Sequence, residues 1–133
     1  MELALQIDRL MRRLNARIHV QAPQFDQHNI GPIGGMILLT LAEVQPASIQ
    51  TISQLMGRDK GQLSRLFSNL ERRDLVLRIN NPADQRSHLL RLTPGGEEFV
   101  ISVKQVLDGA VHELLAPLDE AEKAEMVRLL EKI

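Results

Sequence analysis

The chain has 133 residues, a formal net charge of −1, no cysteine, tryptophan or tyrosine, and three phenylalanines. That length suits one domain with a modest core, and without thiols there can be no disulfide staples, thiolate zinc sites or thiol redox switch. With aromatics limited to Phe25, Phe67 and Phe99, stacking of single-stranded bases is poorly supported, and without a continuous apolar run neither a signal peptide nor a membrane span is expected, which points to the cytoplasm.

Leu3, Ile7, Leu10, Leu14 and Ile18 recur at steps of three and four, so they form one stripe of an opening helix running to about Val20. Ala22-Pro23 ends it, because the residue before proline is pushed out of the helical region. Gly31-Pro32 starts a second helix carrying Ile33, Met36, Ile37, Leu38 and Leu41, with proline in its first turn. Ser48 is placed to cap a short helix with Ile49, Ile52, Leu55 and Met56 inward and Gly57 as its stop. Asp59 then caps a longer helix, Lys60 to Arg73, with Leu63, Leu66, Phe67 and Leu70 as its buried stripe. Its free face displays Gln62, Ser64, Arg65, Ser68, Asn69 and Arg72. Amides, hydroxyls and guanidiniums on such a face hydrogen-bond base edges and phosphates, whereas a purely structural surface helix more often carries paired Glu and Lys.

Leu75 to Ile79 and His88 to Leu92 read as two strands. The connection from Asn80 to Ser87 is longer than a tight hairpin needs and is bracketed by Arg78, Arg86 and Arg91, so it reads as a wing reaching for DNA, set against an unemployed loop. Thr93-Pro94 restarts a helix with a hydroxyl cap and an N1 proline. That helix is apolar on two sides, with Phe99, Val103, Val106, Ala110 and Leu114 on one and Val100, Leu107, Val111, Leu115 and Leu118 on the other. Asp119 to Ile133 closes the chain, with Met126, Leu129, Leu130 and Ile133 inward. The surplus of apolar surface at the two ends predicts a homodimer built from Leu3, Ile7, Leu10, Leu14, Val111, Leu114, Leu115, Leu118, Leu129 and Leu130.

Charge is distributed unevenly. From Gly57 to Arg91 eight cations face four carboxylates, and from Glu97 onward four cations face nine. A basic middle and an acidic end suit a polyanion binder that turns one face to phosphate and the rest to water. The expected architecture is mainly α with a small β-hairpin wing: a winged helix-turn-helix over 30–96, dimerised through end helices at 1–22 and 97–133, in one domain spanning 1–133. Gln62, Ser64, Arg65, Ser68 and Asn69 are the candidates for base or phosphate contact. Lys60, Arg72, Arg78 and Arg91 are assigned to phosphate or the hairpin frame.

Several stretches resemble the MarR family of bacterial winged-helix transcription regulators, and within it the multidrug-efflux repressors of the MexR type. They are Arg58-Asp59-Lys60, Leu70-Glu71-Arg72-Arg73 with Leu75-Val76 and Arg78, Asn81-Pro82-Ala83-Asp84-Gln85-Arg86-Ser87, Leu92-Thr93-Pro94-Gly95-Gly96, and His112-Glu113-Leu114-Leu115-Ala116-Pro117-Leu118. The resemblance covers nearly the whole chain. It implies that Arg86 enters the minor groove, that Asp84 pairs with a neighbouring arginine such as Arg78 to shape the wing, and that a small apolar or aromatic effector, or a partner, binds between dimer helices and winged module. Asp74 stands where the family usually has glycine, Gly61 interrupts the first turn of the recognition helix, and Gly31 replaces the hydroxyl residue that commonly caps the second helix.

Other chemistry finds little footing. His19, His28, His88 and His112 form no HxxxH or HxxE pair, so neither a metal nor a cofactor is expected. Gly31-Pro32-Ile33-Gly34-Gly35 lacks the Lys-Ser/Thr ending of a P-loop. No nucleophile elbow or carboxylate pair nominates a reaction, so the chain is not expected to be an enzyme. The alternatives to a double-stranded DNA-binding repressor are a protein-interaction module that kept the winged-helix fold and a small metal-dependent hydrolase.

Overall fold

The computed structural model describes residues 2–21 and 30–133, arranged as α1 (Glu2–Gln21), α2 (Gly31–Val44), α3 (Ile49–Met56), α4 (Lys60–Arg72), β1 (Val76–Asn80), β2 (His88–Leu92), α5 (Pro94–Leu114) and α6 (Glu120–Leu130). The expected break at Ala22-Pro23, together with Phe25 and His28, lies outside the described residues. Two compact units form, one from Ala22–Gln105 and the other from Met1–Gln21 with Val106–Ile133.

In the Ala22–Gln105 unit, side-chain caps set where α3 and α4 begin. Ser48 Oγ accepts the Thr51 N–H at 3.1 Å to open α3, and Asp59 Oδ2 accepts the Gln62 N–H at 3.0 Å to open α4. Each bond satisfies a donor that the first helical turn would leave unpaired. Gly31, at φ +69, begins α2 in the left-handed region, where the hydroxyl residue common in the resembled family would be strained. Behind these caps Ile37, Leu38, Leu41, Ile52, Leu63, Phe67, Leu70 and Leu90 are all but inaccessible, each side chain contributing roughly 1.5–3 kcal/mol by leaving water. Leu66 is half-buried, and Leu55 is 57% exposed. An eight-residue helix has room for one buried stripe, and in α3 Ile52 takes it.

The end of α4 explains the departure at Asp74. Asp74 N–H donates to the Glu71 carbonyl and Leu75 N–H to the Leu70 carbonyl, each at 3.0 Å, with Asp74 at φ 60. This paired pattern needs a left-handed residue just past the helix, which explains the usual glycine. Aspartate is among the few others that tolerate it. β1 then pairs antiparallel with β2 in the register Val76↔Leu92 to Asn80↔His88, one residue later at its start than expected. Ala47 adds an isolated antiparallel bridge to β2 through two backbone bonds with Leu90, at 3.1 and 2.7 Å.

Thr93 joins the hairpin to α5. Its Oγ1 accepts the Gly96 N–H at 3.0 Å as a cap and donates to the Asp74 carbonyl at 2.6 Å, while its N–H donates to the Leu75 carbonyl at 3.1 Å. A Cβ on Gly96 would collide with the Leu75 carbonyl oxygen, so glycine at that position is required where backbone approaches backbone.

In the other unit, Arg17 of α1 donates to Glu113 of α5 at 3.0 Å. Asp119 and Glu122 form a reciprocal cap that opens α6, at 2.8 and 2.9 Å. The stripe expected to be covered is bare within one chain. Leu3 is 72% and Leu130 60% exposed, Ile7, Leu10 and Leu129 are exposed, and Leu14, Val111, Leu114, Leu115 and Leu118 are half-buried. Met126 is half-buried, but Leu129, Leu130 and Ile133 face solvent, since among the described residues nothing covers that face of α6. No helix among the described residues is long and apolar enough to cross a membrane.

Candidate nucleic-acid interface

The recognition-type helix α4 is divided lengthwise. Leu63, Phe67 and Leu70 are fully buried on one side, while Lys60, Arg65 and Arg72 are exposed and Gln62, Ser64, Ser68 and Asn69 half-exposed. Burial of the apolar stripe therefore orients the polar face outward. Among the described residues no hydrogen bond engages the guanidiniums of Arg65 or Arg72, so their donors are free for an external acceptor. Asn69 is less free, since its Oδ1 accepts from Arg73 Nε at 3.3 Å. A guanidinium has no acceptor, so the amide nitrogen of Asn69 is turned away from Arg73.

The wing is a built loop. Asn81 Oδ1 accepts the Ala83 N–H at 3.0 Å, Asp84 Oδ1 accepts the Arg86 N–H at 2.9 Å, and Asn81 Nδ2 donates to Ser87 Oγ at 2.9 Å. Two further backbone bonds, from Asp84 to Asn81 and from Ser87 to Asp84, close the turns at 3.2 Å each. Short amide and carboxylate side chains that bond backbone two residues on are what make such turns. Arg86 stands exposed at the tip.

One expected pairing is replaced. Arg78 pairs with Glu71, Nε to Oε1 at 3.1 Å, and its Nη2 donates to Ser68 Oγ at 3.4 Å. Asp84 spends its carboxylate on the Arg86 backbone instead. Arg78 thus braces β1 against α4, and the same side chain lines a groove of about 400 Å³ with Ser48, Asp84, Arg86 and His88. Helix face and wing are therefore joined through a single arginine. Ser48, His88 and Glu71 were not legible as neighbours of this surface, because only the packing of the hairpin beside α4 and the Ala47 bridge brings them to it. Among the described residues no cluster of His, Asp or Glu is placed to hold a metal.

A short helix, a turn, a second helix with an outward polar face and a hairpin wing together define a winged helix-turn-helix protein. The MarR family model matches residues 35–88. The transcriptional repressor MprA of Escherichia coli is 29% identical over 100 residues, covering 74% of this chain and 57% of MprA. The chain spans somewhat more than half the length of the curated relatives it matches. Among solved structures, the Staphylococcus aureus MepR–DNA complex superposes with a TM-score of 0.73 at 26% identity, covering 94% of this chain and 93% of that one. The apo form of E. coli MarR superposes with a TM-score of 0.75 at 24% identity over 94% of each chain. Over residues 35–88 the chain is thus similar to the MarR family, and the solved structures carry the same mainly helical fold with its two-stranded wing.

Proposed function

We propose that the protein is a sequence-specific double-stranded DNA-binding regulator, acting in the cytoplasm as a repressor. The observation that carries this reading is the outward polar face of α4, with Gln62, Arg65, Ser68 and Asn69, coupled by Arg78 to a wing tipped by Arg86. Phosphate contacts position such a surface, and base-edge contacts specify sequence. MprA bears the name of a repressor, and MepR was solved on DNA. The bare apolar stripe of α1 and α6 supports a homodimer, whose two α4 helices enter successive major grooves of half-sites about 34–36 Å apart, with wings along flanking minor grooves. The motif resemblance to MexR-type efflux repressors supports efflux or stress genes as targets. Release then comes from a small apolar or aromatic molecule, or a partner, that binds one spacing of the recognition helices better than the other.

Selection of bound duplexes from a random pool tests the reading directly. The expected result is a rough palindrome with that spacing; recovery of no preferred duplex at physiological salt favours the protein-interaction alternative. Arg86→Ala is expected to weaken binding and to lower the salt slope by about 0.9 per subunit, the effect of removing one cation from the phosphate backbone. Salt titration of the wild type and the variant measures it, and identical slopes would take Arg86 off the phosphates.

A further inference from the structure

We infer that Glu71 is a positioning residue for DNA binding, one that withholds Arg78 from the phosphate backbone and so protects sequence preference. This rests on the DNA-binding reading given above. Glu71 lies in the last turn of α4, in the helix that carries the base-reading face, yet its carboxylate is turned to β1, where it meets Arg78 at 3.1 Å. The Arg78 side chain is held at a second point by Ser68 Oγ and remains 29% exposed, with Glu71 40% exposed. Arg78 also lines the groove shared with Ser48 and Arg86. A guanidinium so placed has two possible anionic partners, the internal carboxylate and an external phosphate, and its fork geometry suits both.

While Glu71 holds it, Arg78 serves as a brace and adds little to sequence-independent attraction. Ser68 is affected too. With an oxygen lone pair taken by Arg78, the Ser68 hydroxyl hydrogen is left to donate outward. Releasing Arg78 would convert a structural cation into a phosphate contact that every sequence satisfies equally. Non-specific binding strengthens with each such contact, and the margin between operator and random duplex narrows.

Glu71→Gln tests this, because glutamine keeps the shape and one acceptor but removes the charge. Salt titrations on a selected duplex and a scrambled one are compared for wild type, E71Q, R78Q and the E71Q/R78Q double variant, with circular dichroism confirming helix content. R78M replaces R78Q should the latter lose helix. The expected result is a salt slope steeper by about 0.9 per subunit for E71Q, with scrambled-duplex affinity up about two- to fivefold, the range for releasing a partly exposed pair. The effect should vanish in the double variant. Equal slopes for wild type and E71Q overturn the inference. Equal steepening with and without Arg78 also overturns it, since that would be a general effect of removing one negative charge. A wild type that binds no duplex overturns the DNA-binding reading itself, and that result is seen without any variant.

Discussion

Phe67→Ala is expected to lower the unfolding free energy by about 3–5 kcal/mol, the range for truncating a fully buried aromatic side chain. Phe67 has no accessible surface and is the largest fully buried side chain among the described residues. It also sits on the side of α4 opposite the polar face, between Leu63 and Leu70. Against a total stability of about 5–15 kcal/mol for an ordinary domain, the loss is large enough to leave much of the protein unfolded on mild warming. Urea denaturation followed by circular dichroism measures it. A loss below about 1 kcal/mol would mean that the buried stripe does not anchor the helix. DNA binding by the surviving folded fraction should keep its salt slope, because no cation has been removed.

Arg65→Ala is the complementary case, with an expected loss of about 1–3 kcal/mol in DNA binding, confined to one base position per half-site, and almost none in stability. Its guanidinium is exposed and has no hydrogen-bond partner among the described residues, so truncation leaves no buried group unsatisfied, and stability should stay within about 0.5 kcal/mol. Binding of wild type and variant to a panel of singly substituted duplexes reads the effect. If Arg65 contacts a base, the variant stops discriminating at that position alone. A uniform loss across the panel would reassign Arg65 to phosphate, and no loss would remove it from the interface.

Most of the winged module was legible because its signals are local. Ser48 and Asp59 announce helix starts by side chains that bond backbone three residues on, and both do so. The spacing of Leu63, Phe67 and Leu70 marks the buried stripe, and all three are buried. Thr93 before Pro94 announces a cap that forms. Leu55 and Leu66 show where periodicity stops being sufficient. They fall on apolar positions of their helices, but exposure depends on which neighbouring element reaches that side, and a single helix cannot specify that. The end helix α6 fails the expectation for the same reason. Leu129, Leu130 and Ile133 have inward spacing and are exposed, with no covering surface among the described residues.

Arg78 marks the limit for the site. Its charge and position beside the wing were plain, and its partner was expected in the wing at Asp84. The antiparallel register and the left-handed turn at Asp74 carry β1 back past the last turn of α4, so Glu71 and Ser68 reach it. Asp84 is already engaged by the Arg86 N–H.

Taken alone, the residues determined which segments are helical, where they are capped, which side of α4 is apolar, and that arginines cluster around a hairpin. These properties depend on side chains within one turn or one strand length of each other. The partner of Arg78, the close approach of Gly96 to the Leu75 carbonyl and the groove linking Ser48 to Arg86 were decided only by tertiary structure. Each requires the distance between atoms on different elements, and that distance is set by how the hairpin packs after α4.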